Sequence, residues 1–139
     1  MAKNFFFEHF DLDEQVLSRV MNAGLDSGGD YCDLFFQQKN ANSIALEDNA
    51  VNRASRSADL GVGVRVMHGD AQGYAFSEDL SEASITEAAR IAAAIASGAK
   101  QVEPQAIKAR SVENLYGIRQ PWSQTTTEAK LPILTKLND

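Results

Sequence analysis

Cysteine and histidine are nearly absent from this chain of 139 residues: one of the former and two of the latter. Cys32 has no second cysteine to pair with, so no internal disulfide staples the fold. Lying between Tyr31 and Asp33 in an apolar run, it reads as a small buried hydrophobe on a strand. A zinc site needs three or four His, Cys or carboxylate ligands that converge. His9 stands beside phenylalanines and His68 at a hairpin tip, and both read as ordinary surface groups. No G-x-S-x-G motif accompanies the serines, and Glu47 with Asp48, adjacent in a turn, read as solvated carboxylates. No residue of this chain is therefore predicted to be catalytic, cofactor-binding or metal-ligating.

Basic charge is also short, with 13 Lys and Arg against 19 Asp and Glu, and the basic residues are scattered. Phosphate neutralisation of a nucleic acid is not the activity such a surface supports. Long hydrophobic runs are missing: no stretch reaches the about 18 apolar residues of a spanning helix, and the N-terminal "MAKNFFFEHF" is too short for a signal-peptide core. The expectation is a cytoplasmic protein without membrane contact.

What the chain does contain is 44% apolar residues, enough for one domain with a core. Residues 1–10 form a tail whose Phe5–Phe7 cluster packs on the domain itself as a local strand or irregular segment. Asp11 with Glu14 starts a helix carrying Leu12, Val16, Val20 and Ala23, joined by Leu17 and Met21, at helical spacing, and Gly28-Gly29 ends it. In "YCDLFFQQ", Cys32, Leu34 and Phe36 share one face and Tyr31 and Phe35 the other, the mark of an interior strand. Next, Ile44 and Leu46 point inward and Ser43, Ala45 and Glu47 outward, before a turn at Glu47-Asp48-Asn49. A polar strand with Asn52, Arg53, Ser55 and Arg56 follows, suited to an edge or a solvated face.

The stretch "GVGVRVMHGDAQGYAF" resembles a phosphate loop in its glycines, yet no helix follows to receive the anion. Val62, Val64 and Val66 alternate, a Gly/Asp-rich break intervenes, and Tyr74-Ala75-Phe76 returns: a β-hairpin. Asp79 with Glu82, or Ser84 with Glu87, caps a helix through "EAARIAAAIAS", whose alanines allow close approach to a sheet and whose finish is Gly98 near Lys100. Residues 101–124 read as a long connection anchored by Leu115, Tyr116, Ile118 and Trp122. "TTTEAKLPILTKLND" then begins a helix in which Pro132 lies in the first turn or makes a kink, and its Ile133, Leu134 and Leu137 face nothing identifiable. The predicted fold is α+β: a mostly antiparallel sheet of about five strands packed in two layers with two to three helices, over residues 11–100, with 125–139 leading into a missing C-terminal part.

Gly61 and Gly63 share one face of their strand, where absent side chains admit a packed helix or a twist. The functional alternative is an extended peptide or a partner's strand laid against that surface by β-augmentation. Arg53, Arg56, Gly61, Gly63 and Arg65 are therefore the candidate peptide or partner surface.

With these pieces in order, the early helix, "DYCDLFFQQ", "LED" at 46–48, "GVGVRV" at 61–66, "GYAFSEDL" at 73–80 and the alanine-rich helix resemble the N-terminal region of the TldD/PmbA family of metallopeptidases. The "GVGVR" form is similar to the TldD branch. The resemblance implies an intracellular zinc-dependent peptidase that acts on peptides and unfolded segments and forms homodimers, or TldD–TldE heterodimers, around an internal cavity. The family's H-E-x-x-x-H motif and its further cysteine ligand lie in a C-terminal domain, and no position here matches them. No metal or catalytic residue carries over, so this chain is expected to be a non-catalytic N-terminal domain, inactive alone. A standalone module that binds a partner's strand along Arg53 to Arg56, or through Gly61 to Arg65, is the alternative. The family's older label, modulator of DNA gyrase, finds no support in the charge distribution.

Overall fold

The computed structural model describes residues 5–97, 104, 106–108, 110, 113, 115–121 and 124–138. Its elements run α1 (Phe5–His9), α2 (Glu14–Leu25), β1 (Tyr31–Glu47), β2 (Ala50–His68), β3 (Ala71–Ser77), α3 (Glu82–Ala96) and α4 (Thr127–Asn138). The chain divides into two compact units: Met1–Lys39 with Asp59–Ala109, and Asn40–Ala58 with Arg110–Asp139.

The class is α+β as expected, but the sheet has three strands in the order β1-β2-β3, not about five. The two segments before the Glu47 turn are one strand, and the two after it are another. Nothing between Gln37 and Asn42, or between Arg56 and Leu60, reverses the chain; polarity there reports solvent on both faces, not a break in the strand. "YCDLFFQQ" accordingly lies in an edge strand and not an interior one, whereas the polar "NRASR" segment, although part of β2, lies outside the Val62–His68 stretch that pairs with β3 and is exposed, as a solvated edge would be. The turn itself is where the sequence places it. Asp48 and Asn49 have φ of 51° and 61°, the pair of positive values that a two-residue type I′ hairpin requires.

In the first unit, β2 and β3 pair antiparallel from Val62↔Ser77 to His68↔Ala71. Alternation then sends Val62, Val64 and Val66 to one face, where they form the core with Leu12, Val16 and Val20 from and beside α2 and with Ile85 of α3. The alanines of α3 do what their size suggests. Ala88, Ala89, Ala92, Ala93 and Ala96 are all buried, and a Cβ at Gly73 would collide with the Ala92 carbonyl oxygen. Gly73 is thus the position at which the helix backbone presses on the sheet. Phe6, Phe7 and Phe10 pack against the same core, Phe6 meeting Phe36 at 5.2 Å between ring centroids. The Phe5–Phe7 cluster is therefore docked on its own domain, as a short helix and not a strand.

Both long helices of this unit start two or three residues away from the expected caps. Asp13, in extended conformation, accepts the Val16 amide at 2.7 Å, while Asp11 sits at φ 52° in the turn before it. Ser81 caps α3 by accepting the Ser84 amide, and Asp79 braces the cap, accepting from the Ser81 amide at 2.9 Å and the Ser84 hydroxyl at 2.7 Å. These bonds, the Ser81 backbone first, hold the Asp79 carboxyl below its usual range. Arg19 of α2 clasps Glu82 of α3 through two bonds of 2.6 and 2.9 Å. The proposed finish at Gly98 and Lys100 lies outside the described residues; the Ser97 amide closes α3 on Ala93.

In the second unit, the outer hairpin is exposed apart from the half-buried Ile44 and Leu46, which do face as the alternation indicates. Pro132 is the sixth residue of α4, which begins at Thr127, and so falls in the second turn and not in the first. Leu115, Tyr116 and Ile118 are not anchors: they are 74%, 88% and 75% exposed. Trp122 lies outside the described residues.

Candidate functional site

The face of the first unit's sheet that turns away from its helices is the candidate site. Register assigns its residues: Arg65 stands opposite Tyr74 and Gly63 opposite Phe76, and directly opposed residues share a face. From β1 the same alternation contributes Tyr31, Asp33 and Phe35. Phe35, Tyr74 and Phe76 are 64%, 55% and 70% exposed there.

Both glycines on this face answer to neighbours within the sheet. The Tyr74 ring lies directly over Gly63, leaving no room for a Cβ. A Cβ at Gly61 would stand 3.0 Å from the Ser77 carbonyl oxygen, where β3 ends. The accommodation of a helix expected of these two glycines falls instead to Gly73, on the opposite face. What results is a cleft of about 250 Å³ lined by Phe35, Gly61, Tyr74, Phe76, Asp59 and Glu78, among others.

Arg65 is tied down beside the cleft. Its Nε and Nη2 each donate to Asp33 at 2.9 Å, and its Cζ sits 5.9 Å from the Tyr31 ring centroid. The hydrogen bonds to Asp33 raise the guanidinium pKa above its already high value, so the group is a fixed cation with a committed carboxylate. Gly61, Gly63 and Arg65 therefore share one face. Arg53 and Arg56 belong to the other unit, are exposed, and, three apart on a strand, point to opposite sides. The five candidates are not gathered into one site by either unit. The aromatic trio Phe35, Tyr74 and Phe76 was missed as a group, although the period-two spacing of Tyr74 and Phe76 carries the signal once their opposite numbers on β2 are known.

The remaining reactive groups serve the fold. His68 donates from Nδ1 to the Gly28 carbonyl at 2.8 Å, and Asp30 accepts the Gly69 amide at 2.7 Å, locking the β2–β3 turn to the loop after α2. His9 donates to the Phe5 carbonyl and stacks on its ring at 4.5 Å. Burial, with a smaller push from Asp33, raises the Cys32 thiol to about 11, far from a nucleophile's range. Among the described residues, no group of three or more His, Cys, Asp or Glu is placed to hold a metal ion, so the residues present do not fit a peptidase zinc centre. No helix among the described residues is long and apolar enough to cross a membrane.

Comparison with known proteins agrees with this architecture. The family described as PmbA/TldA metallopeptidase domain 1 matches residues 32–96, from the second residue of β1 to the last residue of α3. A "Metalloprotease TldD homolog" of Haemophilus influenzae is 30% identical over 127 residues, covering 89% of this chain and 26% of that protein. Two proteins of the same description from Buchnera aphidicola, of the Acyrthosiphon pisum and Schizaphis graminum subspecies, are 26% and 24% identical over 109 residues, each covering 78% of this chain and 23% of the relative. The chain thus spans about a quarter of the length of these curated relatives. The strand–hairpin–helix order, the motifs it carries and these matches lead to one assignment: the chain belongs to the TldD/PmbA metallopeptidase family through its N-terminal domain.

Proposed function

We propose that this chain is the non-catalytic N-terminal domain of a TldD-type zinc metallopeptidase that degrades peptides and unfolded segments, and that it shapes the peptide cavity and the dimer, either a homodimer or a TldD–TldE type heterodimer. The observation that carries the reading is the match of residues 32–96 to a metallopeptidase first domain whose described residues hold no metal-ligand group. Zinc, with the water it activates for attack on a peptide carbonyl, would then be held by residues outside this chain. What the domain contributes is a sheet with an exposed aromatic face, a surface against which an extended polypeptide can lie. A cytoplasmic setting, rich in partly unfolded chains and poor in disulfides, suits that task and the lone reduced Cys32.

The test is an assay of the purified 139-residue chain on fluorogenic casein, with and without added zinc. No turnover is expected in either condition, and activity is expected only when a TldD-type C-terminal region is supplied. Hydrolysis that copurifies with the chain through successive columns contradicts the proposal.

A further inference from the structure

We infer that the cleft beside Gly61 is selective: it docks an extended segment of another polypeptide in which a lysine or arginine neighbours an aliphatic residue. The inference rests on the reading of this domain as a peptide-facing one and adds the class of sequence it prefers. Three observations lead to it. Phe35 of β1 stands on one side and Tyr74 and Phe76 of β3 on the other, all more than half exposed, around a strand that carries no side chain at Gly61. An aliphatic side chain of a ligand can therefore sit among the rings, where the strand beneath adds no side chain of its own. At about 250 Å³ the space is below the about 300–1,000 Å³ of small-molecule sites, so it suits a side chain or two of a longer ligand, not a cofactor.

Charge supplies the second half of the preference. Asp59 and Glu78 line the same cleft, and neither has an ion-pair or hydrogen-bond partner among the described residues. Arg65, which lies on this face of β2, is already committed to Asp33. The cleft thus presents rings with unneutralised carboxylates beside them, the complement of a cationic side chain next to an apolar one. A second copy of this chain is a poor occupant on the same ground, because its net charge of −6 would bring like charge to the acidic rim.

Fluorescence anisotropy tests this with three labelled decapeptides, one alternating Lys and Leu, one with Glu for every Lys, and one with Ser for every Leu. The Lys/Leu peptide is expected to bind the full 139-residue chain at least tenfold more tightly than either other. Phe35→Ser or Phe76→Ser should each weaken it about tenfold and Phe76→Leu much less; both positions are exposed, and circular dichroism verifies folding. The double change Asp59→Asn/Glu78→Gln should weaken it about fivefold, whereas Glu14→Gln/Asp70→Asn, the same charge change elsewhere, should cost under twofold. Equal loss from the two double variants, or equal binding of the Lys and Glu peptides, overturns the charge preference while leaving a peptide face in place. Indifference of all three peptides to Phe35→Ser and Phe76→Ser overturns the docking site and, with it, the sheet face as the peptide-facing surface. Self-association of the chain that Phe76→Ser abolishes would show the cleft occupied by a second copy, which also overturns the inference.

Discussion

Two halves of one strand behave as if they came from different proteins. In β2, every residue from Ala50 to Asp59 is exposed, whereas Val62, Val64 and Val66 a few positions on are buried completely or nearly so. The backbone is extended throughout, because a strand needs only a neighbour to bond with, and β1 runs beside it through the type I′ turn. Burial follows the side chains instead. "GVGVRV" alternates and finds α2 and α3 on one face; "VNRASRSAD" offers no apolar face, and none is covered. Stability in this molecule should therefore be concentrated at one end of a continuous hairpin, with the other end held mainly by backbone bonds.

Substitutions that set the two halves against each other measure that contrast. The largest effect is expected at Gly73, where valine would drive a side chain into the Ala92 carbonyl: a loss of about 3 kcal/mol or more, or failure to fold, in urea unfolding. The matching insertion in the outer half, Ala54→Val, should change stability by no more than about 0.5 kcal/mol. Next comes Ile85→Ala, which empties a fully buried position between α3 and the valines at a cost of about 2–5 kcal/mol. Val51→Ala, at a site 44% exposed, should lie within about 0.5 kcal/mol of wild type. A smaller loss of about 1 kcal/mol is expected from Ser81→Ala at the α3 cap.

The Asp79 brace beneath that cap gives a pH signature. Because the folded state lowers its pKa, the stabilisation is full above the unfolded value of about 3.9 and disappears as pH falls through the folded value. Asp79→Asn should flatten this part of the acid limb of a melting-temperature profile; an unchanged limb would mean the brace is irrelevant. The least visible effect concerns Cys32. With its thiol raised to about 11, labelling by a disulfide reagent at pH 8 should be slow in the folded chain and fast in urea. Fast labelling without urea would show that the inner half opens as readily as the outer one.

Much of this was legible from residue order. The valine alternation, the Gly/Asp break, the Glu47-Asp48-Asn49 turn and the alanine helix each carry a local signal that the fold obeys. Strand continuity was not legible, since Gln37–Asn42 looks like a loop by polarity and lacks only the Gly or Pro that would make it one. Helix starts moved because Asp11 and Asp13 are both competent caps, and the choice falls on the one in extended conformation. The aromatic face was hidden for a different reason: Phe35 and Tyr74 lie 39 positions apart, and only the pairing of β3 with β2 brings Phe76 opposite Gly63.

The most direct test of the account is hydrogen exchange on the 139-residue chain mixed with a reduced, carboxymethylated protein that cannot refold. The account predicts added protection at Asp59–Gly63 and Tyr74–Glu78, little change across Arg53–Arg56, and an unfolded protein recovered uncut. Protection confined to Arg53–Arg56, or fragments accumulating in proportion to the chain, would contradict it.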